Sequence, residues 1–339
     1  LSTSDLVHRI YSGFLGKAIG VRLGAPVEPT IWSYERIRDT YGEITGYLRD
    51  FKTFAADDDT NGPVYFIRAM RDYQLSPTPH EVAKTWLNYA AEGHGMYWWG
   101  GYGRSTEHTA YLNLRAGIEA PQSGSIAQNG AAIAEQIGGQ IFIDSWGWVN
   151  AGNPERAAEM SASAASVAHD GEGLNGARFC AAMIAAAFTA KSVEQLFEIG
   201  LSVIPSDSTY AAVVRAVLGQ HQNDPDDWRA CRELLTRDWG YDRYPGVCHI
   251  IPNAGVLALA MIYGKGELCR TVEIATMCGW DTDCNAGNAG AIIGTFEGTQ
   301  PSWDKYRKPI NDMVVTSGVT GALNIVDVPT FARELATLS

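Results

Sequence analysis

The residues best suited to chemistry are five aspartates in two groups that lie far apart in the chain. Asp57, Asp58 and Asp59 are consecutive, and Asp281 and Asp283 stand one residue apart before a run of small and apolar residues. Adjacent carboxylates repel one another, and a buried ionised carboxylate needs a partner. Carboxylate oxygens are ligands for hard divalent cations. The two groups therefore predict an oxygen-rich cation site, with Mg²⁺ favoured over zinc because carboxylates dominate.

Commoner uses of these aspartates fit less well. An EF-hand loop starting at Asp281 needs glycine at its sixth position and glutamate at its twelfth, where this chain has Ala286 and Ile292. A phosphoryl-transfer D-x-D follows an apolar strand, whereas residues 275–280 end a helical pattern. The sequence has no P-loop, H-E-x-x-H or G-x-S-x-G motif, so no nucleophile stands out. For the early group the alternative is a helix start with Pro63 at its first position, which accounts for a single aspartate.

Two glycine-rich helical segments are predicted to hold these carboxylates in place. Glycine destabilises a helix interior by about 1 kcal/mol relative to alanine, so a repeated glycine stripe indicates close packing against a neighbour. We expect the two segments to pack on each other and to bring Glu28, which lies between two prolines, near Asp281. The alternative for Glu28 is a solvated loop residue. The stripes are Gly13, Gly16, Gly20 and Gly24 in the first segment, and Ala286, Gly287, Gly290 and Gly294 in the second.

The remaining pattern is mostly helical and contains few alternating segments typical of strands. We therefore predict an all-α fold, with residues 1–339 forming a single compact multi-helix domain. Ser4 and Asp5 indicate the start of the first helix, and Ser105 the start of another that has Glu107 and His108 in its first turn. Further helices are predicted over 78–89, 125–144 (continuing through 148), 153–169, 176–190, 193–200, 210–221, 226–238, 253–263, 267–278, 285–295 and 330–338.

A loop over residues 92–104 combines five glycines with four aromatic residues and an arginine. Such a composition is typical of a flexible loop that covers a ligand, and Trp99 and Tyr102 would then stack on it. A tight turn that packs into the core is the alternative, and the sequence favours neither.

Composition excludes several kinds of partner. A net charge of -12 argues against nucleic acid, whose phosphates need clustered Lys and Arg. The longest apolar stretch, about residues 179–188, is shorter than the ~20 residues that cross a bilayer, so no membrane partner is expected. The six cysteines include no C-x-x-C pair, which argues against a disulfide scaffold and favours the reducing cytoplasm.

Four segments together resemble the ADP-ribosylglycohydrolase family, the relatives of ADP-ribosylarginine hydrolase and of the dinitrogenase-reductase-activating glycohydrolase. They are GFLGKAIGVRLGAPVEP near the start, ADDDT near position 60, QNGA at 128–131 and GWDTDCNAGNAGAIIGT at 279–295. The likeness covers nearly the whole chain in the family's order. It implies an all-α fold, two bound Mg²⁺ (Mn²⁺ in some members) and hydrolysis of the bond between ADP-ribose and an acceptor by metal-activated water.

The resemblance also implies roles for individual residues. Glu28 and Asp58 are expected at the reacting centre, with Glu28 as general acid or base. The loop at Asn129 and Gly130 is expected to line the ribose and phosphate pocket, and His169 to lie near the ligand. The expected metal ligands are Asp58, Asp59, Asp281 and Asp283, with Asp283 as the bridge between the two cations.

Two residues depart from the family pattern within the expected metal centre. Asp57 stands where the family has threonine, which adds a negative charge beside one cation. Cys284 stands where the family has threonine or serine, and a thiol is a poor ligand for magnesium. The second cation is then bound more weakly, not bound, or held through backbone and water.

The substrate remains open at this point, because the loop at 93–104 matches no segment of the protein-demodifying members. One hypothesis is an ADP-ribosylated protein or a small ADP-ribosyl compound. The second is a small N-riboside or nucleotide in specialised metabolism. A third is a non-catalytic protein that binds ADP-ribose.

Overall fold

Helices build almost all of the regular structure in the computed structural model, which describes residues 2–50 and 57–339. The one pair of named strands in that part of the chain is antiparallel, with Met313 opposite Asp327. The elements are α1 (Thr3–Gly24), α2 (Tyr34–Tyr41), α3 (Asp58–Tyr65), α4 (Ala69–Asp72), α5 (Pro79–Tyr89), α6 (Thr106–Arg115), α7 (Ile126–Asn129), α8 (Ala131–Ala134), α9 (Gly138–Ile141), α10 (Asp144–Trp148), α11 (Pro154–Ala165), α12 (Glu172–Ala187), α13 (Val193–Ser202), α14 (Thr209–Asn223), α15 (Trp228–Trp239), α16 (Ile250–Tyr263), α17 (Leu268–Met277), α18 (Thr282–Glu297), α19 (Asp304–Ile310), β1 (Met313–Val315), β2 (Ile325–Asp327) and α20 (Val328–Ala336). The predicted all-α class is confirmed.

Side-chain caps set where several helices begin. Ser2 accepts a hydrogen bond from the Asp5 backbone N–H at 3.1 Å and starts α1, two residues before the predicted Ser4. Ser105 accepts from the His108 N–H at 3.1 Å and starts α6 as predicted. Such caps satisfy backbone donors that have no partner within the helix.

The glycine stripes of α1 and α18 pack against each other, which confirms the sequence prediction. A Cβ atom added at Gly16 would lie 2.2 Å from the Gly290 carbonyl oxygen, and one at Gly20 would lie 2.1 Å from that of Ala286. At the end of the contact, a Cβ at Gly24 would lie 2.4 Å from the Thr282 oxygen. Real Cβ atoms essentially never approach closer than 3.0 Å. Glycine is therefore required because the two backbones touch.

Two sequence predictions are wrong in detail, and several short elements were not predicted. The predicted continuous helix over 125–144 is divided into α7, α8 and α9 before α10 begins, and Gly130 lies between the first two with a φ of 82°. Pro63 lies inside α3 and not at its first position, because Asp57 caps the helix further upstream. The sequence also missed α2, α19 and the β1–β2 pair, all of which are short.

The core surrounds α18 and its neighbours. Along α12, α16 and α18 nearly every residue is buried, including polar residues such as Asn253 and Asn288. Asn285 and Asn253 join α18 to α16 through a side-chain hydrogen bond of 2.9 Å. Among the described helices, none combines the length and apolarity that spanning a membrane would require. The buried α18 thus offers a rigid base for the carboxylates at its amino-terminal end.

Candidate metal centre and active-site cleft

The amino-terminal end of α18 meets the carboxy-terminal end of α1. The Thr282 hydroxyl donates a hydrogen bond of 2.8 Å to the Gly24 carbonyl oxygen. A 3-10 turn over Ala25–Val27 then leads the chain to Glu28. As a result, Glu28, Asp281 and Asp283 each offer a carboxylate oxygen, and these oxygens all lie within 4.8 Å of one another. The predicted approach of Glu28 to the late aspartates is confirmed.

The early aspartates form a second group at the start of α3. Asp57 is the helix cap and accepts a hydrogen bond from the Asp59 N–H at 2.9 Å. Oxygens of Asp57, Asp58 and Asp59 also lie within 4.8 Å of one another. Helix capping therefore accounts for Asp57 alone, as the helix-start alternative predicts. It does not explain Asp58 and Asp59.

A third group joins the two aspartate motifs. Oxygens of Asp59 and Asp283 and the Cys284 sulfur lie within 4.8 Å of one another. Asp283 is shared by this group and the one that contains Glu28, and Asp59 by this group and the one that contains Asp57. The bridging role expected for Asp283 stays a prediction. The structure thus brings together every residue predicted to surround the cations.

Burial and mutual repulsion make these carboxylates resist ionisation. Desolvation is the largest cause that raises the pKa of Asp58, Asp59 and Asp283 well above the usual range. The charge of Asp57 is the next cause for all three. Desolvation also raises the pKa of Asp281, although hydrogen bonds between Asp281 and both Cys284 and Asp283 oppose that rise. A bound cation would favour the ionised forms of all four.

A buried lysine that the sequence analysis missed lies beside the cluster. Lys17 on α1 is fully buried, and its Nζ donates hydrogen bonds of 2.8 Å to Asp144 Oδ2 and to the Ile141 carbonyl oxygen. The same Nζ lies 4.0 Å from Asp59 Oδ1. Lys17 therefore pairs most closely with Asp144, and its charge opposes the rise in the pKa of Asp59 without reversing it. The signal in the sequence was a lysine on the buried, glycine-rich part of a helix.

The donor set fits a divalent cation. Within residues 2–50 and 57–339, Asp59 Oδ1 is buried and has no hydrogen-bond partner, which is costly for a carboxylate unless a cation binds it. The groups at Glu28 and at Asp57 offer only oxygen, the donor that Mg²⁺ and Mn²⁺ prefer. The residues that would hold the ions are Asp57, Asp58, Asp59, Asp281 and Asp283.

Two glutamates beside the cluster have pKa values shifted toward neutrality. Glu28 is exposed at the rim, yet partial desolvation and then the charges of Asp281 and Asp57 raise its pKa to about 7. Glu107 is buried, and desolvation raises its pKa to about 7, with a further contribution from Asp281. A hydrogen bond of 3.2 Å from the Ser105 hydroxyl opposes that rise. The sequence placed Glu107 only in a first helical turn, a common position for glutamate, so nothing there marked it as part of the site.

His169 lies on the inner side of the same region. Its side chain is 2% exposed, and desolvation lowers its pKa to about 3, which keeps the ring neutral. A Cβ at Gly138 would lie 2.7 Å from Glu107 Oε1 and 2.8 Å from His169 Nε2, so the two side chains face the same glycine. The ring also lines a small internal cavity with Trp86 and Trp146. Contact between His169 and a ligand stays a prediction.

The aromatic loop over residues 92–104 is hydrogen-bonded to, and packs against, the first turns of α6. The Ser105 hydroxyl donates a hydrogen bond of 2.7 Å to the Trp98 carbonyl oxygen. The Gly101 N–H donates a hydrogen bond of 3.0 Å to His108 Nδ1. Trp99 is half-buried, with its ring edge-on to His108 and to Tyr111 at centroid distances of 5.1 Å. Trp98 and Tyr102 remain exposed. The inner part of the loop is therefore a packing turn, and its outer part is free to meet a ligand.

Two of the predicted substrate residues share a hydrogen-bonding partner. The Tyr102 hydroxyl donates to Asn113 Oδ1 at 3.1 Å, and Asn113 Nδ2 donates to Asn129 Oδ1 at 2.8 Å. Gly130 follows directly, with its positive φ. Asn113, which the sequence analysis did not single out, thus joins the aromatic loop to the predicted ribose and phosphate loop.

Comparisons with known proteins identify the family and support the fold. One solved structure, titled "ADP-ribosylglycohydrolase-related protein complex", is similar with a TM-score of 0.57 over 99% of this chain and 99% of that chain. The two sequences are 14% identical, so this likeness shows the fold alone. A comparison with curated proteins found no match. The family model described as ADP-ribosylglycohydrolase matches residues 2–317. Since that match covers nearly the whole chain, the protein belongs to the ADP-ribosylglycohydrolase family.

Proposed function

We propose that the protein is a Mg²⁺-dependent glycohydrolase that cleaves the bond between the ribose of an ADP-ribosyl group and its acceptor. Membership of the family supports glycoside hydrolysis. The observation that carries the finer proposal is the cluster of three donor groups, two of which share Asp283. Mn²⁺ is the alternative cation, because it accepts the same oxygen donors.

The carboxylates suit the charge that develops in this reaction. Departure of the acceptor leaves positive charge on the anomeric carbon, which flanking carboxylates stabilise. Asp281 and Asp283 are held on the rigid α18, and Asp58 is held in the first turn of α3. A divalent cation, when bound, supplies Lewis-acid charge that orients ribose hydroxyls and acidifies water.

Glu28 is the proposed general acid or base. A group whose pKa lies near the working pH transfers protons in both directions most effectively, and partial desolvation and neighbouring charge raise the pKa of Glu28 to about 7. Its exposed position at the rim allows contact with both a substrate and solvent. The proposed substrate contacts are Asn129, Gly130, Trp99, Tyr102 and His169, as the sequence suggests.

A second candidate is a hydrolase of a small N-ribosyl compound or nucleotide. The exposed Trp98 and Tyr102 favour it, because they offer flat surfaces on which a base can stack. A non-catalytic ADP-ribose-binding protein ranks last, because the acidic set is complete. For either enzyme we propose a cytoplasmic location, which the six free cysteines support.

A panel of substrates tests the proposal. The purified protein with Mg²⁺ is mixed separately with ADP-ribosylarginine, ADP-ribosylserine, NAD-like compounds and simple nucleosides, and the released sugar is measured. We expect release of ADP-ribose from at least one ADP-ribosyl compound, and a strong reduction in Glu28→Gln. Cleavage of nucleosides alone would favour the second candidate. Tight binding of ADP-ribose without turnover of any compound would contradict both enzymes.

A further inference from the structure

The three donor groups differ in one chemical respect. Two of them, around Glu28 and around Asp57, offer only carboxylate oxygens. The third contains the sulfur of Cys284 beside oxygens of Asp59 and Asp283. Sulfur and carboxylate ligands select different metals, since thiolates favour borderline and soft cations whereas carboxylates favour hard ones. The donors alone therefore predict that the positions differ in cation preference.

Cys284 is held firmly in this third group. It lies in the first turn of α18 and is 7% exposed. Its backbone N–H donates a hydrogen bond of 2.8 Å to Asp283 Oδ1. Its Sγ lies 3.2 Å from Asp59 Oδ2 and donates a hydrogen bond to it. The sulfur thus faces the two carboxylates from a rigid, buried position.

Asp59 provides a separate indication that a cation belongs here. Its side chain is fully buried, and its second oxygen, Oδ1, has no hydrogen-bond partner among the described residues. The ammonium of Lys17 lies 4.0 Å from this oxygen and is already bonded to Asp144 at 2.8 Å. A buried carboxylate oxygen without a hydrogen bond is the kind of group that a metal ion satisfies.

We propose that Asp59, Asp283 and Cys284 bind a borderline divalent cation of the Zn²⁺ class, with Cys284 Sγ as a ligand, while the all-oxygen positions keep their preference for Mg²⁺ or Mn²⁺. This inference rests on the metal centre of the proposed function and adds a second kind of metal to it. Binding breaks the S–H bond of Cys284, forms a bond between sulfur and the cation, and releases the proton to solvent.

Cobalt and cadmium report directly on sulfur ligation. The metal-free protein is titrated with Co²⁺ while the near-ultraviolet absorption from thiolate to cobalt is recorded, and Cd²⁺ and Mg²⁺ affinities are measured by calorimetry. The variants are Cys284→Ser and, as a matched control, Cys269→Ser, which removes a half-buried thiol elsewhere. We expect the absorption band in the wild type and in Cys269→Ser, and its loss in Cys284→Ser. Cd²⁺ affinity should fall by roughly tenfold or more in Cys284→Ser, without loss of Mg²⁺ affinity.

An equal band and equal Cd²⁺ affinity in wild type and Cys284→Ser would overturn the inference. If Cys284→Ser does not fold, cadmium NMR of the wild type decides, because the chemical shift distinguishes sulfur from all-oxygen ligation. None of these measurements needs turnover. A sulfur-ligated cation without cleavage of any ADP-ribosyl compound would uphold this inference and contradict the proposed function, whereas Mg²⁺-dependent cleavage without sulfur ligation would do the reverse.

Discussion

The contact between α1 and α18 and the acidic cleft at its end are built on the same two helices by opposite means. Along the contact, side chains are missing, and the Gly16 and Gly290 backbones touch. At the cleft, charged side chains crowd together, and burial resists their ionisation. The contact gains stability from close packing. The cleft loses stability until a cation binds, which indicates that its residues serve ligand binding and not the fold.

A side chain added within the contact between α1 and α18 should have the largest effect on stability. Gly20→Ala would place a Cβ 2.1 Å from the Ala286 carbonyl oxygen, and both groups are backbone in rigid helices. We expect the free energy of unfolding to fall by more than about 3 kcal/mol, measured by urea unfolding. The matched control is Gly219→Ala on α14, where no atom lies within 4 Å of the added Cβ. That variant should gain up to about 1 kcal/mol. Equal effects in the two variants would refute the steric account.

Removing a carboxylate from the cleft should instead stabilise the metal-free protein. We expect Asp283→Asn to raise the metal-free stability at neutral pH by about 1–2 kcal/mol, because burial and repulsion raise the pKa of this carboxyl and so destabilise the folded state. In the wild type, Mg²⁺ at about a hundredfold its Kd should add roughly 3 kcal/mol, and Asp283→Asn should lose most of this gain. Thermal unfolding with and without Mg²⁺ measures both. The control is Asp304→Asn, an exposed carboxylate paired with Lys308; its response to Mg²⁺ should match the wild type.

The buried Glu107 gives the cleft a pH dependence that the helix contact lacks. Burial raises its pKa from 4.5 to about 7, so the folded state binds more protons than the unfolded state between these values. Its contribution to stability is therefore lost as pH rises through this window. Between about pH 5 and pH 7, ionisation of Glu107 should lower the free energy of unfolding of the metal-free protein by about 2 kcal/mol. Urea unfolding across this range should show a smaller loss in Glu107→Gln, and an unchanged slope would contradict the assignment.

The smallest effect is expected at the outer edge of the cleft. Tyr102→Phe removes the hydroxyl that donates to Asn113, and a single hydrogen bond contributes about 1 kcal/mol. KM for the ADP-ribosyl substrate should rise by roughly fivefold, with kcat nearly unchanged and the free energy of unfolding lowered by at most about 1 kcal/mol. Tyr73→Phe, which removes an exposed hydroxyl that accepts a hydrogen bond from Asn88 on α5, is the control. A fall in kcat without a change in KM would argue against a positioning role.

The parts of this molecule that the sequence predicted are those with a local cause. Gly16, Gly20 and Gly290 form stripes that only close helix contact explains, and that contact brings Glu28 to the late aspartates. What the sequence did not predict depends on partners distant in the chain. Lys17 meets Asp144 across 127 residues, and no local pattern marks that pair.

Conformational details were also beyond the sequence. The small, apolar residues of 125–144 suit one helix or several short ones equally well, and the positive φ of Gly130 decides the matter. Glu107 shows the same limit for chemistry, because a first-turn glutamate is ordinary until the fold buries it beside Asp281. The predicted substrate contacts of Asn129, Gly130, His169, Trp99 and Tyr102 stay predictions.

We propose that the acidic cluster binds a cation on which hydrolysis depends. This proposal is tested most directly by ADP-ribose release from an ADP-ribosyl compound that the wild type cleaves, measured after chelation and again after Mg²⁺ is restored. We expect that chelation stops release, that Mg²⁺ restores it in the wild type, and that Asp281→Asn and Asp283→Asn stay inactive although folded. Full release after chelation, or undiminished release in either variant, would contradict it.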